Sequence, residues 1–150
     1  MVGNILLVQQ EVSRLKTMNK TIEYIYSLTN ASSTLRVIEY LRNKHRAYLN
    51  SVVVINLIDR WVVKITLKSY VPYKSAKNLQ AFLSEMGAVY QPPAQVVNAL
   101  NSLDQGETPT VVMNRYQVVI VVHGQPETEE IEIFRDRVVK QLGYCPQNMA

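Results

Sequence analysis

The densest run of chemistry-bearing side chains in this sequence is Arg36, Tyr40, Arg42, Lys44, Arg46 and Tyr48, all within thirteen positions. Guanidinium and ammonium groups bind phosphate oxygens, and tyrosine rings stack on exposed bases. Tyr40, Lys44 and Tyr48 recur at steps of four, so on a helix they align, with Arg36, Arg42 and Arg46 flanking them. Lys64 and Lys68, on the polar side of a predicted strand, extend that surface if strand and helix pack side by side. The pattern predicts a nucleic-acid-binding face, without specifying a base sequence. A second reading stays open, in which the tyrosines are half-buried packing residues and the arginines solvate a helix.

Other chemistries find less support. His45 sits on the apolar stripe of the same helix and His123 ends a strand beside Gly124; both read as structural, since neither has a Ser or Cys motif beside it. Cys145 follows Gly143-Tyr144 in a tail with no nucleophile signature. Glu127, Glu129, Glu130 and Glu132 spread around a helix rather than sharing a face, and complement the positive end of its dipole. Asp59, Glu85 and Lys64 form a metal-nuclease set only in imagination, because no spacing ties them together. The five glycines form no phosphate loop. The expectation is a noncatalytic protein with no metal and no cofactor.

The elements that must position the basic residues follow from periodicity. Residues 5–28 carry Val8, Val12, Leu15, Met18, Ile22 and Ile25 at helical steps, which predicts a long amphipathic first helix. A second helix spans residues 33–49, with Leu35, Ile38, Leu41, His45 and Leu49 on its apolar stripe. Residues 51–58 and 61–68 read as two strands joined at Asp59-Arg60; Val63, Ile65 and Leu67 face a core, and Val62, Lys64, Thr66 and Lys68 face water. Ser75 caps a helix ended by Gly87, and Pro92-Pro93 opens another that ends at 104–106. Residues 110–113 and 116–122 read as strands, and Ile131, Phe134, Val138 and Leu142 mark a last helix. The fold class expected is α+β: a single domain over 1–150, mainly helical (4–50, 75–106 and 126–143), with a small antiparallel β-sheet insertion (51–72 and 109–124).

Composition bounds the function classes. With 47% hydrophobic and 19% charged residues the chain folds rather than staying disordered. No apolar run approaches the ~20 residues that span a bilayer. Met1-Val2-Gly3-Asn4 lacks the basic start of a secretory signal, and one cysteine forms no internal disulfide, so a cytoplasmic location is expected. Residues 1–77 hold twelve Lys/Arg against four Asp/Glu, and residues 78–150 hold four against eight. A basic first half suits phosphate, and its opposition to an acidic second half suits self-association head to tail.

The helical segment Ser33-Thr34-Leu35-Arg36-Val37-Ile38-Glu39-Tyr40-Leu41-Arg42-Asn43-Lys44-His45-Arg46, the interrupting strands at 52–68 and the chain length resemble the small subunit of the archaeal type I-A CRISPR interference complex, archaeal Cascade. The resemblance is architectural and implies a noncatalytic subunit of an RNA-guided DNA-targeting complex involved in antiviral defence. Its implied partners are other Cascade backbone subunits, CRISPR RNA and target DNA, with no membrane. The alternative is a winged-helix-type transcription regulator, with 33–49 as recognition helix and the 52–68 hairpin as wing.

Overall fold

The computed structural model describes residues 22–124, 133–137 and 140. In chain order the elements are β1 (Ile22–Leu28), α1 (Ala31–Lys44), a 3₁₀ turn (Arg46–Tyr48), β2 (Leu49–Asn56), β3 (Trp61–Leu67), α2 (Tyr73–Met86), β4 (Ala88–Val89), α3 (Ala94–Asp104), α4 (Pro109–Tyr116) and β5 (Val119–Gly124). Residues 133–137 are helical as well.

The strands form one sheet in the order β4-β1-β3-β2-β5, and every neighbouring pair is antiparallel. From β1 to β4 the chain runs β-α-β-β-α-β with strand order 4-1-3-2, the ferredoxin-like split βαβ arrangement, and β5 adds a fifth strand beside β2. The fold is α+β, as expected, but the sheet is its framework rather than a small insertion in a mainly helical domain.

Alternation along the strands explains why both sheet faces are covered. Tyr26, Leu28, Val52, Val54, Val63, Ile65 and Leu67 point to one face, where Leu35, Ile38 and Leu41 of α1, Leu79 and Leu83 of α2, and Phe134 bury them. Val53, Ile55 and Val62 point to the other, against Val96, Ala99, Leu100 and Leu103 of α3 and Val112 of α4. The expectation that Val62, Lys64 and Thr66 face water is therefore wrong: all three are buried, Val62 within the cluster formed with α3 and α4 and Lys64 against Asp104 of α3.

The 3.6-residue pattern of Ile22 and Ile25 misleads at the end of the expected first helix. Residues 22–28 are β1, paired with β3 from Ile22 opposite Leu67 to Leu28 opposite Trp61. Tyr24, Tyr26 and Leu28 also alternate, and seven residues of ladder pairing favour that period over the helical one. The remainder of that expected helix, residues 5–21, lies outside the described residues.

The second expected helix is α1, shorter at its C-terminal end. Asn30 caps it, its Oδ1 accepting from the Ser33 N–H at 2.7 Å, and the Thr34 hydroxyl donates back to the Asn30 carbonyl at 2.9 Å. It stops at His45 because the 3₁₀ turn redirects the chain and Leu49 enters β2. The β2–β3 hairpin turns where expected, with the Leu57 N–H donating to the Arg60 carbonyl at 2.8 Å.

Residues 110–113, expected to be a strand, and Tyr116, expected to open the next one, belong to α4. Thr108 caps it, accepting from the Val111 N–H, and Pro109 occupies its first turn, so cap chemistry overrides the β preference of Val111 and Val112. Gln117 ends it in the left-handed region at φ 58°, and β5 starts at Val119. The last expected helix is seen at 133–137, where the Phe134 ring lies 5.6 Å from Trp61; Cys145 and Glu127, Glu129, Glu130 and Glu132 lie outside the described residues. No helix among the described residues is long and apolar enough to cross a membrane.

Candidate nucleic-acid interface

Strand register decides which basic residues meet. Ile22 and Leu49 both lie opposite Leu67, so the starts of β1 and β2 and the end of β3 share one end of the sheet. α1 finishes at that end with Lys44, the 3₁₀ turn follows with Arg46 and Tyr48, and α2 begins there at Tyr73. The Lys68 N–H donates to the Tyr48 carbonyl at 2.8 Å, which locks the two segments together. Lys44 and Arg46 are exposed and Lys68 is half-buried.

Of the expected binding residues, Lys44, Arg46 and Lys68 therefore gather at one end. Arg42 is half-buried in the last turn of α1, and Arg36 sits eight residues before Lys44, about 12 Å back along the helix. Tyr40 does not offer a free stacking face: its ring lies 3.8 Å from Phe82 of α2, nearly parallel at 12°, and packs against the core. Lys64 lies elsewhere. It is 5% exposed on the α3 face, with its ammonium 2.8 Å from Asp104 Oδ2 and 3.7 Å from Glu23 Oε1. A buried ammonium must find carboxylates, and having found two it is unavailable to phosphate.

The segment joining β3 to α2 supplies what the sequence reading missed. Tyr70 and Tyr73 are 66% and 77% exposed, and each ring has a lysine over it: Lys68 Nζ at 6.0 Å from Tyr70 and Lys77 Nζ at 5.4 Å from Tyr73. Tyr48 meets the Tyr70 ring edge-on at 6.2 Å. α2 begins two residues before Ser75, at Tyr73, with the cap position held by Pro72, no side chain caps it, and its first turn carries no acidic residue. Its positive dipole end thus adds to Lys74 and Lys77 rather than being neutralised. Among the described residues, the resulting end presents Lys44, Arg46, Lys68, Lys74 and Lys77 around three tyrosines.

The opposite end is electrostatically closed. Arg60 donates to Asp59 at 2.9 Å and lies 5.5 Å over the Tyr90 ring, beside a cleft of about 390 Å³ lined by Ser27, Thr29 and Gly87. The hydrogen bond from Arg60 holds the Asp59 carboxyl below its ordinary pKa. Asp59 and Lys64 are thus committed to different partners, Arg60 for the first and Asp104 with Glu23 for the second. Among the described residues no three His, Cys, Asp or Glu side chains form a group able to hold a metal.

His45 borders the basic end from inside. It is 4% exposed, its ring lies 5.2 Å from Tyr40, and neither ring nitrogen has a hydrogen-bond partner among the described residues. Burial lowers its pKa from the ordinary 6.5. The folded state then binds fewer protons than the unfolded chain, so stability is complete above the unfolded value and is lost as pH falls through it toward the folded value. Urea midpoints measured from pH 7.5 to 5 should fall on the acid side, and His45→Leu should flatten that fall; an unchanged slope in the variant would assign the acid loss to other groups.

No family model matches the chain, and no curated protein matches it. Among solved structures the chain is similar to the crystal structure of the C-terminal domain of YpbH, at 12% identity and a TM-score of 0.46, over 78% of this chain and 99% of that one.

Proposed function

We propose that this chain is a noncatalytic nucleic-acid-binding subunit that holds phosphate backbones without reading sequence. The observation that carries this is the gathering of Lys44, Lys68, Lys74 and Lys77 with exposed tyrosines and an uncapped helix start at one end of the sheet. Such contacts are individually weak and screened by salt, so they gain strength when neighbouring subunits repeat them. A labelled oligonucleotide at about 0.1 M salt should lose about tenfold or more in affinity when all four lysines become alanine. Unchanged affinity, with the variant folded, would reject the assignment of this end.

The narrower form of this proposal is a small subunit of an RNA-guided DNA-targeting complex, with guide RNA and target DNA supplying the phosphates. Part of the helical architecture behind that likeness is strand here, so support rests on the basic end and not on the fold. Mild-salt purification of the tagged chain from its host separates the forms: repeat-derived RNA with backbone proteins supports the narrower one, and unrelated nucleic acid rejects it. A winged-helix regulator would use the 52–68 hairpin as an exposed wing, whereas these strands lie at the sheet's centre beneath helices on both faces.

A further inference from the structure

We infer that the basic end takes single-stranded nucleic acid in preference to duplex, with unpaired bases seated on Tyr70 and Tyr73; this rests on the phosphate-binding reading above. Large apolar rings exposed to water contribute little to folding, and two of the most exposed large side chains in the described molecule stand three residues apart. Their outward placement is built in. The Val71 N–H donates to the Lys68 carbonyl at 3.1 Å and Val71 packs against the core, so the chain is pinned between the two rings. Pro72, at φ −62°, stiffens the entry into α2.

Three residues of chain separate the two Cα atoms by at most about 10 Å, a span that suits bases of one short strand. Each ring carries a lysine, and Tyr70 also meets Tyr48 edge-on; the exposure of both rings leaves surface on which a base can stack, with an ammonium within reach of the neighbouring phosphate. A duplex keeps its base faces covered by its own stack and presents only edges and phosphates, so it can use the lysines but not the rings. Stacking tolerates any base, so this mode of binding needs no base-reading hydrogen bonds.

The test uses the full chain and three labelled probes of equal length: oligo-dT, the corresponding duplex, and a strand of abasic sites that keeps the phosphates and lacks the bases. Oligo-dT should bind about tenfold more tightly per engaged ring than the abasic strand, or about a hundredfold for two. Tyr70→Leu with Tyr73→Leu should bring oligo-dT down to the abasic level, and Tyr70→Phe with Tyr73→Phe should restore the difference. Both positions are exposed, so denaturation midpoints of all variants should match that of the parent chain. Equal binding of all three probes would overturn the single-strand inference while leaving the phosphate-binding reading intact. Binding of none of them would overturn both.

Discussion

Gly87→Ala is expected to lower stability by about 3 kcal/mol, more than any exposed substitution in the molecule. A Cβ at this position would sit 2.1 Å from the Ser27 carbonyl oxygen and 2.7 Å from Leu28 Cδ2. The carbonyl belongs to β1, and Ser27 pairs with Ala88, the residue after Gly87. Relief therefore requires β4 to leave β1 or α2 to shift, and the Gly87 N–H bond to the Leu83 carbonyl, 2.9 Å, resists the second. The reason is space and not backbone angle. Gly106 is the converse case, with φ 96° and nothing near its absent side chain. Gly106→Ala should cost about 1 kcal/mol, from strain alone. Urea denaturation of the two variants compares them directly, and a larger loss at Gly106 would contradict the β1–β4 register.

Lys64 gives the second large effect, and its sign depends on the replacement. Lys64→Glu would bring a third carboxylate against Asp104 and Glu23 beneath α3, and the chain should fail to fold at neutral pH. Lys64→Met keeps the volume of the side chain and removes a charge that must otherwise be desolvated, so stability should stay within about 1 kcal/mol of the parent or rise. Asp104→Asn leaves the ammonium with Glu23 at 3.7 Å, and because Asp104 is itself largely exposed the loss should be modest, about 1 kcal/mol. Lys64→Met should also bind oligonucleotides as the parent does. A drop in its affinity would return Lys64 to the binding face and contradict its burial against Asp104 of α3.

Much of the sheet centre was legible because β2 and β3 are rich in Val, Ile and Thr and meet at a short polar turn. α2 and α3 were legible from Gly87 and from the paired prolines before Ala94. β1 was not, because Ile22 and Ile25 fit a helix as well as a strand and only the non-local pairing with β3 decides between them. Lys64 and Thr66 imitate the wet face of a half-buried strand; nothing local announces that both are buried or that Asp104, forty residues on, meets Lys64. For the interface, residues 36–48 were picked out by charge and ring content, yet Tyr40 belongs to the core. Tyr70, Tyr73, Lys74 and Lys77 lie where the strand period ends and the next helix begins, so periodicity does not single them out; the interleaving of Lys and Tyr from 68 to 77 is the local signal for them. Their meeting with Lys44 depends on the β2–β3 register, which single-chain periodicity does not contain.

The central claim, that the lysines at this end hold phosphates, is tested most directly by the salt dependence of oligonucleotide binding. On a single strand each phosphate-bound lysine contributes about −0.7 to the slope of log affinity against log salt, so four predict a slope near −3. Lys44→Ala with Lys74→Ala, which touches neither lysine–tyrosine pair, should reduce it to about −1.5. A flat slope in the parent chain, or the same slope in the double variant, would contradict the account.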